Sequence, residues 1–264
     1  MPIITVSRGS YYHGKSIAEK LAIKLGFSCL SRDQIIDGLE EFHLPEIKLV
    51  RGLNDAFSVL DRFPHGKKRF KAAIKGAILQ HLAPGNVVYH GLVGHHFVQN
   101  ISHVLKVRII ADTTLRVSED MDRENTTEEK ARFILKKDDE ERRKWGMFLY
   151  GIDIQNPTNY DLVINIGKLS EDDAVELIAS TVERPLFQET KASTESLNDA
   201  ATTAIISARL FDFPNAAVKT KNSTVTISMK VPESQQNLIN ERVGELLGDI
   251  PGFADFSIQF EPYF

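Results

Sequence analysis

Gly9-Ser10-Tyr11-Tyr12-His13-Gly14-Lys15-Ser16 is the stretch on which the reading of this chain turns. It matches without a gap the pattern G-x-x-x-x-G-K-[ST] of loops that hold phosphate groups. The flanks suit it. Ile3-Ile4-Thr5-Val6-Ser7 is a β-branched run of the kind that makes a buried parallel strand. Ile17, Ala18, Leu21, Ala22 and Leu25 form one face of an amphipathic helix, stopped by Gly26. Strand, glycine loop and helix together predict that Gly9 and Gly14 let the backbone curl, so that successive N–H groups face a phosphate. The helix N-terminus adds partial positive charge. Lys15 then reaches the β- and γ-phosphates, the Ser16 hydroxyl is a Mg²⁺ ligand, and Gly9 to Ser16 as a whole, Ser10, Tyr11, Tyr12 and His13 included, is the candidate ATP-binding loop.

Around this motif, composition sets bounds. A chain of 264 residues holds one large domain, or a medium one with a small companion. A net charge of −4 gives no support to nucleic-acid binding by bulk electrostatics. Cys29 is the lone cysteine, so no internal disulfide forms, which suits a reducing cytoplasm. No basic leader and no stretch of membrane-spanning length is read. The expectation is a cytoplasmic protein without a transmembrane segment.

The first two thirds alternate helix and strand signals. Lys67 to Leu82 reads as a helix, and Pro84-Gly85 turns it into the strand Asn86–His90. Val104–Ala111 and Asp161–Ile166 are further strands, and Glu171–Val182 is a helix showing Ala174, Leu177, Ile178 and Val182. This predicts an α/β fold, a phosphate-loop parallel sheet covered by helices. Ser118 to Trp145 is charged and helical in pattern, either a solvated face or a mobile cationic lid. Residues 186–196 turn polar and aperiodic and read as a linker between a domain of residues 1–185 and a small unit of residues 197–264. That unit has the order α-β-β-α-β, with a hairpin about Asn222-Ser223. Its expected core is Val225, Ile227, Leu238, Ile239, Val243, Phe256 and Ile258, and its last strand is placed from Phe253.

The first 185 or so residues resemble the cytidylate kinase-like family of phosphate-loop proteins. The resemblance is carried in order by Ile3-Ile4-Thr5-Val6-Ser7-Arg8, Leu30-Ser31-Arg32-Asp33-Gln34-Ile35-Ile36, Leu105 to Ala111, Arg116 with Met121-Asp122-Arg123-Glu124, Asp139-Glu140-Glu141-Arg142, Tyr150-Gly151-Ile152-Asp153 and Tyr160 to Asn165. It implies ATP-dependent phosphorylation of a nucleoside monophosphate, with ATP and Mg²⁺ as cofactors. One place departs from the pattern. Relatives carry Gly-Arg-Gly or Gly-Arg-Asp after the middle strand, where this chain has Gly91-Leu92-Val93-Gly94. The last 70 or so residues resemble a BON domain, a small binding module, in architecture.

The resemblance implies a lid with Arg142 as the cation over the transferred phosphoryl group and Asp139 beside it, steering it or touching the acceptor. Arg132 joins Lys15, Arg142 and Asp139 as a catalytic candidate, and Arg123 is placed at the ATP. Arg32, Asp33, Gly91 and His95 are candidates for acceptor binding, His95 or His96 standing in for the missing arginine. Ser31 or Asp33 as a helix cap is the plainer reading of that segment. His90, His95, His96 and His103 lie close in sequence, but their spacing fits no common metal pattern. Trp145, Phe148 and Tyr150 either stack on a base or pack the lid onto its core. Three functions stay open: a nucleotide kinase, a kinase of another small molecule, and an ATP-binding regulatory or sensor module whose catalysis has decayed. The acceptor and the C-terminal ligand are unnamed, and a homo-oligomer is compatible with the sequence.

Overall fold

Ile3, Ile4 and Val6 are sealed from solvent on both sides of their strand, which makes that strand the centre of the sheet. The computed structural model describes residues 1–38, 66–91, 94–210, 212–213, 215–248 and 256–261, the side chains of Tyr11 and Leu149 apart. In it β1 (Ile3–Arg8), β2 (Ser28–Ser31), β3 (Val87–Gly91), β4 (Val104–Ala111) and β5 (Leu162–Ile166) form a parallel sheet of order β2-β3-β1-β4-β5. The helices between them are α1 (Tyr11–Leu25), α2 (Arg32–Gly38), α3 (Gly66–Leu82), α4 (Gly94–Phe97), α5 (Thr113–Glu124), α6 (Glu128–Tyr150) and α7 (Glu171–Val182). One face of the sheet packs Ile4, Val6, Leu105, Val107 and Ile109 beneath Ile17, Ala18 and Leu21 of α1 and Ala174 and Ile178 of α7. The other packs Ile3, Val87, Tyr89 and Val104 beneath Phe70, Ile74 and Ile78 of α3. Each fully buried aliphatic side chain contributes about 1.5–3 kcal/mol. Leu177, expected on the buried face of α7, is turned to solvent.

The charged stretch 118–145 is two helices. Asn125 takes a left-handed conformation with φ 47°, which ends α5, and Thr127 caps α6 by accepting from the Lys130 N–H. Phe133 and Ile134 of α6 face outward, as the sparse apolar pattern implies.

Residues 186–196 carry regular structure. Pro185–Phe187 is a 3₁₀ turn with Phe187 buried. Thr190 and Ser193 cap each other reciprocally and start α8 (Lys191–Arg209). The Ser193 Oγ also meets His103 Nδ1 at 2.8 Å, fixing the helix to the base of β4. Leu197, Ala201, Ala204 and Ala208 of α8 belong to the core over α3, whereas Ile206 belongs to a second core. In that second core β6 (Ala217–Lys221) and β7 (Thr224–Lys230) make the expected hairpin, with φ of 51° at Asn222 and 63° at Ser223. β8 (Phe256–Glu261) runs parallel to β7, and α9 (Gln236–Leu247) covers Val225, Ile227 and Met229 with Val243 and Leu247. Leu238, expected in this core, is 67% exposed, because α9 turns Ile239 and Val243 inward instead. The expected start of the last strand at Phe253 lies outside the described residues.

Candidate functional site

The Gly9–Ser16 motif sits where β1 ends, but its backbone differs from the expected cradle. α1 begins at Tyr11, and the Gly14 N–H donates to the Ser10 carbonyl at 3.1 Å as an ordinary helical bond. Neither Gly9 nor Gly14 adopts a positive φ. Their smallness serves close approach. A Cβ on Gly9 would lie 2.7 Å from Ile110 Cγ2 and 2.8 Å from the Ile109 carbonyl oxygen, and one on Gly14 would lie 2.6 Å from Arg8 Cγ. Ser10 is buried, Tyr12 is exposed, and the side chain of Tyr11 is outside the described residues. Lys15 is half exposed, and among the described residues its ion-pair partner is Glu19 at 3.8 Å.

His13 is the buried hinge pin of this motif. Its Nδ1 meets Glu171 Oε1 at 2.9 Å, at the start of α7. Its Nε2 lies 2.9 Å from Glu119 Oε2 on α5, a charge contact without hydrogen-bond geometry. Ser16 Oγ donates to Glu171 Oε2 at 2.5 Å, and Lys20 Nζ lies 3.1 Å from the same oxygen. Burial pushes the Glu171 carboxyl up, but the hydrogen bonds from Ser16, His13 and Lys20 together outweigh it and hold the group below its ordinary range. Glu119 and Glu171 were not read from the sequence, since each resembles an ordinary surface acid of a helix.

At the ends of β1 and β4, Arg8, Arg108, Arg116 and Arg142 converge on a cavity of about 410 Å³ that Gly9, Asp139 and Gln155 also line. Arg116 grips Asp139 with two bonds of 2.8 and 3.0 Å, tying α5 to α6. Arg142 stands 4.0 Å from Asp139, so that carboxylate is committed first to Arg116. Burial lowers the Arg142 pKa, against the pull of Asp138 and Asp139. Arg108 is buried, donates to Ser7 Oγ at 3.2 Å and lies 5.6 Å from the Tyr160 ring. Tyr160 donates to the Ile154 carbonyl at 2.8 Å. A second cavity of about 360 Å³ lies beyond the Arg116–Asp139 pair and is lined by Arg132, Lys136 and Arg143. Arg108 had a signal in the sequence, a cation inside the apolar run Val104–Ala111; Arg8 stands in the Ile3–Arg8 run that carries the family resemblance, with no role read for its side chain.

The remaining candidates fall in separate places. Arg123 pairs with Asp120 and Glu124 and stacks 4.8 Å over the Tyr12 ring, at the motif. Arg132 pairs with Glu128 at 2.8 Å on the exposed side of α6. Arg32, Asp33 and Gly91 come together: Arg32 bonds Asp33 at 2.9 Å, and a Cβ on Gly91 would lie 2.8 Å from Arg32 Cβ. Ser31 caps α2 by exchanging bonds with Gln34, so the cap belongs to Ser31 and Asp33 stays exposed. His95 lies apart, buried against Tyr160 with ring centroids 4.5 Å apart. Burial, then the charges of His96, Arg108 and Lys106, lowers its pKa to about 3. His90 is lowered to about 4 by burial and by Arg8 and Lys15. Leu92 and Val93 lie outside the described residues. Trp145 is buried against Phe70, 5.8 Å between centroids, so it packs α6 onto the core.

A parallel sheet of this strand order, with a Gly-x-x-x-x-Gly-Lys-Ser motif after its central strand and two charged helices over its end, has the fold of the phosphate-loop kinases. The sequence model of the cytidylate kinase-like family matches residues 3–168, and the chain belongs to that family. A cytidylate kinase from Archaeoglobus fulgidus is 40% identical over 100 residues, 37% of this chain and 53% of that protein. One from Pyrococcus horikoshii is 30% identical over 99 residues, 38% of this chain and 50% of that protein. The matched stretches thus span about half the length of these curated relatives. The crystal structure of an uncharacterized protein from Eubacterium ventriosum superposes with a TM-score of 0.54 at 18% identity, over 69% of this chain and 98% of that one.

Proposed function

We infer that this chain transfers a phosphoryl group from ATP to a nucleoside monophosphate of the CMP type, or to a similar small acceptor. The observation that carries this reading is the convergence of Arg8, Arg108, Arg116 and Arg142 on one cavity at the end of the strand that leads into the Gly9–Ser16 motif. Phosphoryl transfer asks for positioning and for cations around the migrating group. Lys15 is the cation on α1, Arg142 and Arg132 those of the lid, and Asp139 sets Arg116. Arg123 stacks at the motif beside Tyr12, and Arg32, Asp33 and Gly91 are the acceptor side, with His95 buried apart from them against Tyr160. Engaging a phosphate chain between Gly9 and Lys15 asks the first turn of α1 to unwind, releasing His13 from Glu119 and Glu171. Ser16 and Glu171 place a hydroxyl beside a carboxylate, hard oxygen donors that fit Mg²⁺. Bound there, the metal supplies charge to neutralise the phosphates.

The α-β-β-α-β order of the C-terminal unit supports a BON-like binding or regulatory module, with residues 1–185 as the kinase unit and 186–196 as the junction. The free Cys29 supports a cytoplasmic setting. Among the described residues no helix is long and apolar enough to cross a membrane. A second reading, an ATP-binding regulator with decayed catalysis, is favoured by the helical first turn of α1. ADP release from ATP and Mg²⁺ across a panel of nucleoside monophosphates and small alcohols separates the two. The kinase reading expects release that depends on one acceptor class; release independent of every acceptor, with ATP still bound, favours the regulator.

A further inference from the structure

Lys67, Lys71 and Lys75 recur at every fourth residue and so share one flank of α3. Because α3 leads through a short turn into the parallel strand β3, its first turns lie at the edge of the sheet where the strands end. Ligands of open α/β sheets bind along that edge. The last turns of α6 and the short α4 face this flank. Lys67 Nζ lies 4.1 Å from the centre of the Phe148 ring, and Lys71 Nζ lies 5.3 Å from that of Tyr150. The His96 ring stands 5.5 Å from Tyr150.

Two other half-buried cations have acids close by: Arg116 has Asp139, and Lys106 has Asp161 at 3.4 Å. Lys71 and Lys75 are half-buried too, yet among the described residues no acid pairs with Lys67, Lys71 or Lys75. Among the described residues, His96 Nδ1 is buried without a hydrogen-bond partner. Like charges stacked along a helix repel, and a half-buried cation without a counter-ion is costly. The strain shows in the titration of the groups. Burial, with Lys71 adding to it, lowers the Lys75 pKa, and burial followed by Lys71 and Lys75 lowers that of His96.

We propose that this flank of α3, with His96 and the aromatic pair Phe148 and Tyr150, is a binding site for a phosphate monoester. Lys71 and Lys75 supply the charge, His96 one hydrogen bond, and the rings an apolar floor. Naming the monoester as the phosphate of the acceptor rests on the kinase reading; the anion site itself does not. It would replace, from another element, the arginine absent after β3.

The test is thermal unfolding and the fluorescence of Trp145, the one tryptophan of the chain, with inorganic phosphate, CMP and cytidine as ligands. Phosphate and CMP are expected to raise Tm and cytidine is not; if CMP alone does so, the nucleotide is the source rather than free phosphate. In Lys71→Gln/Lys75→Gln the affinity for both should fall at least tenfold. Its unliganded Tm should equal or exceed that of the wild type, since repulsion is relieved; a merely structural pair of lysines would leave a lower Tm. Lys71→Arg/Lys75→Arg should keep the phosphate response, a check that stands even if the glutamine variant folds poorly. ATP binding by calorimetry should be unchanged in both variants, so failure of the kinase reading shows separately. No phosphate or CMP response in the wild type, or a response that survives in the glutamine variant and vanishes in Arg142→Gln, would overturn the proposal.

Discussion

Glu171 is where the phosphate-loop motif is held. Its two oxygens take Ser16, His13 and Lys20, so one carboxylate locks three residues of α1 to the start of α7. Glu171→Gln is expected to cost about 1 kcal/mol at pH 7, the low end of the range for a hydrogen-bonded charge left short of a partner, because Glu171 is only partly buried. The group is depressed in the fold, so its stabilisation is present above the ordinary carboxylate value of 4.5 and is lost as pH falls through the folded value. Urea unfolding of wild type and variant should therefore converge in acid; a constant gap down to pH 3 would contradict this. His95 has the opposite sign of charge but the same direction of effect. Its pKa falls from 6.5 to about 3, so below about pH 6.5 the unfolded chain takes a proton that the folded chain refuses. Wild-type stability should fall with acidification, by up to about 1.4 kcal/mol per pH unit for this group, and His95→Gln should flatten the slope. Equal slopes would mean that His95 is solvated.

At the scale of elements, the two charged helices α5 and α6 are tied together by an ion pair. Arg116 on α5 and Asp139 on α6 make the pair, and Arg142 one turn on faces the cavity. Arg142→Ala should lower kcat far more than it raises the KM for ATP, because its contact forms mainly in the transition state. Equal losses in both would mark it as a ground-state contact. The elements themselves were legible in the sequence. The run Ile3–Ser7, the helical face Ile17–Leu25 and the alternation of Val225, Ile227 and Met229 each follow from a local period that burial then satisfies. The site was legible only in part. Lys15 and Arg142 stand in local patterns, but Arg8 and Arg108 meet at the cavity and Glu119 and Glu171 meet at His13, and no local period records a contact between strands and helices far apart in the chain. The helical start of α1 was not legible either, since the same eight residues satisfy the loop pattern.

At the scale of the molecule, α8 belongs to both cores. Leu197, Ala201 and Ala204 close the face over Phe70 and Ile74, and the backbones of α3 and α8 come together at Gly76, where a Cβ would sit 3.4 Å from the Ile205 nitrogen. Limited proteolysis should therefore leave residues 191–196 intact under native conditions, and a chain ended at residue 190 should lose several degrees of Tm. Rapid cutting at Thr190–Glu195 into two stable pieces would mean that α8 is a detachable linker. A coupling of this kind puts the C-terminal unit in direct mechanical contact with α3, whose first turns carry the lysine flank beside the end of α6.

The claim at the centre of all three scales is that the Gly9–Ser16 motif binds a nucleoside triphosphate through Lys15. Calorimetry of ATP with Mg²⁺ against the wild type and Lys15→Ala tests it most directly. The account predicts saturable binding by the wild type and at least a tenfold loss in the variant, with an unchanged Tm because Lys15 is half exposed and only 3.8 Å from Glu19 at its nearest. Unchanged affinity in Lys15→Ala, or no binding by the wild type, would contradict it.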